Sequence, residues 1–443
     1  MEQSEQDRGP SIVALGWQDL CGVTRVRGMP LEHIQKKAKS GLGFPTCGQA
    51  LTISGGIAAN RWGPIGDVRQ IPIESTLAQI PKIGSYPGFN LVLAESIDAD
   101  GQPFECCTRS FYKSALRDLQ REAGLEFAAA FEHEFTLIGE GFRPELCMTL
   151  AALQAVDPLP ELLLSALKNA GIEMEAFEPE FGSGQYELSC NHNWGVEAAD
   201  KAVITREIVR DVARHCGFRA SFSPKIAPDQ VGNGAHIHFS LRNEQQAPTL
   251  FDDTGEDGLS EIGGQFVAGV VRHTKAIMPF VASSPVSYMR LGPSKWSSGF
   301  NAFGPANREA LVRICDFPTM EPRARARSYN LEFRAADNAS NPYLALGMIV
   351  KAGLSGIAES LPRPAPVSVD PVTLSENDRA ALGVEPLPLS LEEALAGLER
   401  DEVAKSWLPE SLYETFVTLK KGEIAEVKNM SDEEICARYA RVY

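Results

Sequence analysis

The sequence has few of the features that mark nucleic-acid-binding or membrane proteins. Its 443 residues include 42 Lys and Arg against 58 Asp and Glu, which gives a formal charge of −16. Because nucleic-acid binding requires clustered cations to neutralise phosphates, this balance predicts no nucleic-acid partner. The longest apolar stretches, such as 127–131 and 277–282, are far shorter than the roughly 20 residues of a membrane-spanning helix. We therefore expect no contact with membranes.

A secretory signal, a cysteine framework and the common ATP-binding motifs are also missing. Residues 1–10 are polar and charged, so we expect a flexible arm and a cytoplasmic protein. The nine cysteines include the adjacent pair Cys106 and Cys107 but no CxxC spacing. This argues against a zinc site and against a set of disulfides. The phosphate-binding GxxxxGK[ST] loop and the protein-kinase motifs do not occur.

The pattern of residues predicts an α+β protein with two domains. Residues 11–109 are rich in Gly and β-branched residues, which favours a small β-rich domain. Residues 110–443 alternate strand-like and helix-like runs, which favours a larger α/β domain. Its predicted helices are 111–123, 158–170, 196–216, 263–278 and 342–359, followed by an irregular Pro-rich stretch at 361–389 and more helices in 391–443.

Carboxylates on predicted strands are the strongest local signal. Glu132 and Glu134 stand two apart in an apolar run, so both point to the same face of a strand. Two buried neighbouring carboxylates repel each other unless a cation lies between them. A solvated sheet face would explain this pair alone, but further acids and histidines follow at Glu175, Glu178, Glu180, Glu187, His236, His238 and Glu332. Carboxylates with one or two imidazoles suit Mg²⁺ or Mn²⁺ better than zinc.

A second group of residues is cationic. Arginine binds carboxylate and phosphate through paired hydrogen bonds, and it stabilises the charge on a transferring phosphoryl group. Metal-binding carboxylates and phosphate-binding arginines together indicate phosphoryl transfer, although any one arginine could lie on a solvated surface. The arginines in question are Arg290, Arg308, Arg313, Arg323, Arg325, Arg327 and Arg334.

Several segments between residues 127 and 346, taken in order, resemble the glutamine synthetase family. The segments are Glu132-His-Glu134, the Gly-Gln-Tyr-Glu stretch ending at Glu187, Gly232-x-Gly-x-His-x-His238, Arg290-Leu-Gly-Pro, Asn-Arg308 with Arg313, Glu332-Phe-Arg334, and Asn341-Pro-Tyr-Leu344. Each is weak alone, but the ordered set is specific. The resemblance implies a β-grasp-like N-terminal domain and a catalytic domain built on a curved antiparallel sheet with flanking helices.

The resemblance also implies a role for each matching residue. One divalent metal ion would be held by Glu134, Glu180 and Glu187, and a second by Glu132, His236 and Glu332. ATP would contact Glu175, His238, Ser240, Arg308, Arg313 and Arg327, and the acceptor amino acid would contact Arg290, Arg334, Gly232 and His236. Arg308, Arg313, Glu134 and Glu180 would assist a reaction in which ATP phosphorylates the γ-carboxylate of glutamate and an amine displaces phosphate.

The resemblance further implies a homo-oligomer, a dodecamer of two stacked hexameric rings with active sites between subunits. The N-terminal domain of one subunit would close the site of the next, so Trp62 and Asp67 could act across this boundary.

Two features that the family uses for ammonium are missing here. Thr52–Gly56 replaces an Asp-containing loop, and Trp296 stands where the family's flap carries a Glu. Without these anions ammonium loses its binding site, whereas an indole suits a larger amine through burial and cation–π contact. We therefore predict a ligase that joins glutamate to an organic amine. Trp296, Trp62, Phe300 and Phe303 are candidate residues of the amine pocket.

Two more departures from the family's sequence pattern concern the substrates. Val231 stands where an Asn often holds the amino group of the acceptor, and Asn330 stands where an Arg often contacts ATP.

Two other functions stay open. One alternative is true glutamine synthesis with displaced ammonium ligands. The other is a non-catalytic structural or regulatory homologue. The intact metal-ligand set argues against the latter, because buried carboxylates are costly without a metal.

Overall fold

The N-terminal part of the chain forms a small β-sheet. In the computed structural model, which describes residues 10–317 and 321–443, its strand order is β2-β1-β6-β4-β3 with β5 on β6. Strands β1 and β6 run parallel and the other pairs antiparallel. The predicted arm at 1–10 lies outside the described residues except for Pro10. The strands are β1 Ile12–Gln18, β2 Thr24–Pro30, β3 Leu42–Pro45, β4 Asp67–Pro72, β5 Ala78–Ile80 and β6 Phe89–Ile97.

A second, larger sheet forms the floor of the catalytic region. Its order is β13-β14-β15-β12-β7-β9-β8, with β10 and β11 also paired to the long strand β7. Among the described strands of this larger sheet, only β13 and β14 pair in parallel, so the predicted curved antiparallel sheet is confirmed. The strands are β7 Leu125–Ile138, β8 Met174–Pro179, β9 Gln185–Cys190, β10 Asn193–Trp194, β11 Arg219–Ser221, β12 Ala235–Asn243, β13 Phe303–Pro305, β14 Val312–Cys315 and β15 Asn330–Phe333.

Helices cover this sheet and close the fold. The apolar helix α10 is largely buried and packs against α2 and α6. It approaches α6 closely, since a Cβ on Gly269 would lie 2.0 Å from the carbonyl oxygen of Ala352. The helices are α1 Ile34–Ser40, α2 Thr108–Ala123, α3 Leu150–Gln154, α4 Leu159–Asn169, α5 Glu197–His215, α6 Glu261–Arg272, α7 Thr274–Val281, α8 Ser287–Arg290, α9 Pro322–Ser328, α10 Pro342–Ala358, α11 Glu376–Ala381, α12 Leu391–Arg400, α13 Glu402–Ser406, α14 Glu410–Val427 and α15 Asp432–Val442.

None of the helices in residues 10–317 and 321–443 is long and apolar enough to cross a bilayer.

Two stretches differ from the sequence-based expectation. The predicted helix 263–278 is two helices, α6 and α7, which meet at His273. The imidazole of His273 is buried, lies 2.6 Å from the carboxylate of Asp401 and packs on Trp407. The Pro-rich stretch 361–389 is irregular except for a 3₁₀ turn and α11, which begins after the capping side chain of Ser375. The predicted domain boundary at residue 110 falls inside α2 and stays a prediction.

Candidate active site

Strand register places the predicted acids side by side on the large sheet. Residues directly opposite each other on paired strands share a face of the sheet. On β7, Glu134 lies opposite Glu187 of β9, and Glu132 lies opposite His236 of β12. The row continues to each side through three further pairs. These are Glu178 with Glu187, His238 with Glu332, and Arg313 with Glu332.

Glu132 bridges the two histidines of β12. Its Oε2 lies 3.1 Å from Nδ1 of His236, and its Oε1 lies 2.9 Å from Nε2 of His238. Burial alone would raise the pKa of the Glu132 carboxyl, but hydrogen bonds and charge from His236 and His238 hold it far below its ordinary value. Glu132 is therefore ready to bind a cation as a carboxylate.

Glu332 is fully buried among cationic groups. Its carboxylate accepts hydrogen bonds from Arg313 Nε and Arg334 Nη1. Its Oε1 lies 3.6 Å from Nδ1 of His236 and 3.9 Å from Nε2 of His238. The predicted trio of Glu132, His236 and Glu332 is thus brought together, and His238, which the resemblance puts on the nucleotide, lies beside it.

The other predicted trio is more crowded with negative charge. Burial, and then the charges of Glu132 and Glu134, raise the pKa of Glu187 to about 9. Burial and the charge of Glu134 also raise the pKa of Glu180. The Oε2 atom of Glu134 accepts from Gln185 Nε2 and from the Gly234 amide, each at 2.8 Å. Glu178 adds a carboxylate that sequence reasoning left without a role, and its oxygens lie within 4.8 Å of those of Glu180 and Glu187.

These residues fit divalent metal ions. The structure brings potential ligand residues together in three groups, and within each group one ligand atom per residue lies within 4.8 Å of the others. Every group combines carboxylate oxygens with at most one imidazole nitrogen. This hard, oxygen-rich set suits Mg²⁺ or Mn²⁺. A cation would also offset both the burial and the repulsion that raise the pKa of Glu187. The groups are Glu132 with His238 and Glu332, Glu132 with Glu187 and His236, and Glu178 with Glu180 and Glu187.

Two cavities meet at the carboxylates. One has a volume of about 820 Å³ and the other about 900 Å³. Both are lined by Glu132, Glu178, Glu187 and Arg313. A phosphoryl group could therefore pass between ligands bound in the two cavities at the point where the metal-binding groups lie.

The larger cavity contains most of the residues that the resemblance puts on ATP. Glu175, His238, Ser240, Arg313 and Arg327 all line it, whereas Arg308 lines only the smaller cavity.

The larger cavity is also lined by residues that sequence reasoning missed or read differently. Trp194 lies under the guanidinium of Arg242 at 3.7 Å, and this pair was not predicted. Asn330 lies 2.8 Å from Nδ1 of His238 and so orients that ring.

The smaller cavity contains the predicted residues for the acceptor amino acid. Arg290, Arg334, Gly232, His236 and Trp296 all line it. Glycine is required at position 232, because a Cβ there would lie 2.7 Å from Cγ of Arg290. Arg334 is almost fully buried, and its guanidinium donates to the carbonyls of Arg308 and Trp296 as well as to Glu332. Arg334 therefore holds the walls of the cavity together in this state.

Exposed apolar side chains surround the mouth of the smaller cavity. Met148, Phe181, Val231 and Trp296 all line it, and each is at least half exposed. The rings of Phe181 and Trp296 meet edge to face with centroids 5.6 Å apart. Four large apolar side chains left open around one cavity are typical of a ligand-binding mouth.

The other three aromatic candidates lie elsewhere. Phe300 and Phe303 are buried, and neither lines the cavity, so their prediction as pocket residues is wrong within this chain. Phe300 packs with Ala302, Val367 and Val384 instead. Trp62 packs on Phe104, 5.7 Å between ring centroids, away from the cavity of its own chain.

Comparison with known proteins identifies the family to which this site belongs. Residues 105–439 match the model of the glutamine synthetase catalytic domain. The chain belongs to the glutamine synthetase family. This agrees with the two cavities that meet over a row of carboxylates.

Individual members of the family are similar along most of this chain. It is 32% identical to the γ-glutamylpolyamine synthetase GlnA3 of Streptomyces coelicolor, over 98% of this chain and 94% of the relative. It is 30% identical to a glutamine synthetase of Methanocaldococcus jannaschii, over 80% and 78% of the two chains. A solved structure described as a novel glutamine synthase homologue aligns over the full length of both chains, with 35% identity and a TM-score of 0.90.

Proposed function

We propose that this protein is an ATP-dependent ligase that forms a γ-glutamyl amide from glutamate and an organic amine. The observation that carries the proposal is Trp296, an indole at the mouth of the smaller cavity where the family's flap carries a Glu. Met148, Phe181 and Val231 extend this apolar mouth. A bare ammonium ion has no apolar surface to bury in such surroundings, whereas the carbon chain of an organic amine is buried there. The printed name of the Streptomyces coelicolor relative, a γ-glutamylpolyamine synthetase, also supports an organic amine.

The first step of the proposed reaction takes place where the two cavities meet. ATP would occupy the larger cavity with Arg313 at its phosphates, and glutamate would lie in the smaller cavity beside Arg290. An oxygen of the γ-carboxylate attacks the γ-phosphorus as the bond to ADP breaks, giving γ-glutamyl phosphate. Divalent cations held by the two carboxylate trios would neutralise charge on the phosphate oxygens.

In the second step an amine enters past Trp296. The nitrogen of the neutral amine attacks the carbonyl carbon of the acyl phosphate, and the bond from that carbon to the phosphate oxygen breaks. The proton that the nitrogen loses leaves on the departing phosphate. Phe181 and Trp296 would exclude water from the acyl phosphate while the amine is bound, which suppresses its hydrolysis. Arg308, whose guanidinium lies 5.9 Å from the Trp296 ring, would stay close to the departing phosphate.

An amine panel tests this function. Phosphate release would be measured with ATP, Mg²⁺ and glutamate, in parallel with ammonium, alkyl monoamines, aryl amines, diamines and polyamines. The proposal predicts that at least one organic amine gives a higher kcat/KM than ammonium. Equal or better turnover with ammonium would instead support glutamine synthesis, the function named for the Methanocaldococcus jannaschii relative.

We further infer that the active form is a homo-oligomer, a dodecamer with sites shared between subunits. Asp67 is exposed at the start of β4, and Trp62 lies nearby in the same domain. Mixing inactive Glu132→Gln chains with inactive Asp67→Asn chains would restore activity if each site uses residues from two subunits. No recovery after dissociation and reassembly would contradict shared sites.

A further inference from the structure

The flap, residues 292–299, has an unusual backbone. Ser294, Trp296 and Ser298 have φ values of 57°, 54° and 69°. Non-glycine residues avoid this left-handed region, because the Cβ crowds the neighbouring carbonyl. Three such residues at alternate positions persist only if other parts of the protein hold them.

The carboxylate of Glu309 is one of the groups that hold the flap. It is 7% exposed and accepts the amide N–H of Ser294 at 3.1 Å through one oxygen. Its other oxygen accepts the amide N–H of Trp296 at 2.7 Å. A carboxylate can accept two diverging N–H groups in this way, whereas a carboxamide offers only one acceptor oxygen.

Other bonds fix the opposite side of the Trp296 peptide. Arg334 Nη2 donates to the Trp296 carbonyl at 2.8 Å, and Arg334 Nε donates to the carbonyl of Arg308 at 2.9 Å. Ser294 Oγ also donates to Asp370 at 3.1 Å. The amide and the carbonyl of Trp296 are thus both bound, while its side chain is 54% exposed.

This backbone arrangement places the indole between two functional groups. The Trp296 ring meets the Phe181 ring edge to face, and its centroid lies 5.9 Å from the Arg308 guanidinium. A rotation of the flap would move the ring away from both neighbours at once. Glu309 directly follows Arg308 in the chain, so one short segment supports both the indole and the arginine.

We propose that Glu309 is a positioning residue, which fixes the Trp296 indole over the smaller cavity and thereby sets the preference for organic amines over ammonium. The selectivity part rests on the proposed function. Glu309 itself lines neither of the two cavities. Its effect passes through the backbone amides of Ser294 and Trp296.

Glu309→Gln and Glu309→Ala test the proposal, with Asp98→Asn as a matched control. Asp98 also accepts two backbone N–H groups, from Asp100 and Gln102, but in an exposed turn of the N-terminal sheet region. Steady-state kinetics would give KM separately for amine, glutamate and ATP. Acrylamide quenching of tryptophan fluorescence would report how accessible the Trp296 indole is. The same measurement on Trp296→Phe gives the signal of the other four of the five tryptophans, which is then subtracted.

Both Glu309 variants should raise KM for the preferred amine about tenfold, because a displaced positioning group costs at least that much. The ratio of kcat/KM for this amine to kcat/KM for ammonium should fall in both variants. KM for ATP should stay within about twofold, and quenching of the Trp296 component should increase. Asp98→Asn should change none of these. A thermal melt checks that the variants are folded.

Unchanged quenching of the Trp296 component in both Glu309 variants would overturn the positioning role. Changed quenching with an unchanged amine-to-ammonium ratio would overturn the role in selectivity. A wild-type protein that prefers ammonium would instead refute the proposed function, and quenching would then decide the positioning role alone.

Discussion

The floor and the mouth of the active site are built in opposite ways. The floor consists of side chains on paired strands, where Glu132, His236 and Glu332 are buried or partly buried and His236 lies 3.1 Å from Glu132 and 3.6 Å from Glu332. The mouth consists of loop residues, where Phe181 and Trp296 are half exposed. A sheet fixes its side chains by register, whereas a loop can change without disturbing the core. In the proposed reaction the floor would serve phosphoryl transfer and could stay constant while the mouth selects the amine.

The largest expected effect comes from breaking the floor. Glu132→Gln removes the carboxylate that both histidines contact and that belongs to two of the three groups of potential metal ligands. We expect kcat to fall on the order of 10³-fold with every amine alike, since several kcal/mol of transition-state stabilisation depend on the bound cation. Phosphate release with the full amine panel measures this.

Glu359→Gln is the control for that variant, since Glu359 pairs with Arg272 on an exposed surface. If Glu132→Gln kept wild-type ATP turnover, the floor would not be catalytic. The reading as a structural or regulatory homologue would then be favoured.

The next effect should come from changing the mouth and should be selective. Trp296→Glu places a carboxylate where the family has one, so we expect the kcat/KM ratio of organic amine to ammonium to fall about 10²-fold, through lost burial and a new charge partner. Trp296→Phe keeps an aromatic face and should keep the preference. If the kcat/KM ratio of organic amine to ammonium were the same in Trp296→Glu as in Trp296→Phe, position 296 would not select the amine.

Cation binding should stabilise the floor measurably. In the metal-free folded protein Glu187 holds a proton up to a pKa of about 9, whereas its ordinary value is 4.5. The unfolded chain loses this proton earlier, so the stability of the metal-free protein falls as pH rises between these values. Mg²⁺ replaces the proton and should raise Tm by a few degrees at saturating concentration, with a gain that grows from pH 7 to pH 9.

Differential scanning fluorimetry with EDTA and with Mg²⁺ measures the cation effect. Glu187→Gln should reduce both the Mg²⁺ gain and its dependence on pH, whereas Glu359→Gln should leave them intact. The same gain in Glu187→Gln as in the wild type would place the stabilising cation elsewhere.

The same contrast explains what could be predicted from the sequence. Glu132 and Glu134 could be placed on one face because strands alternate with a fixed period, whereas Glu187 and Glu332 were assigned through the family resemblance. Strand register in the structure places all four on one face of the large sheet. The break at His273 could not be foreseen, since it involves Asp401, 128 residues away in sequence. The same holds for the flap, because left-handed residues such as Trp296 follow from long-range bonds and not from local preference.

The smallest expected effect concerns a single side chain at the mouth, Val231, which is 50% exposed. The family often has Asn here to hold the amino group of the acceptor, so Val231→Asn should lower KM for glutamate about threefold, as one added hydrogen bond is worth roughly 0.5–1.5 kcal/mol. Val231→Leu adds no polar group and should leave KM for glutamate unchanged. Equal values in the two variants would mean that glutamate is held by Arg290 and its neighbours without help from this position.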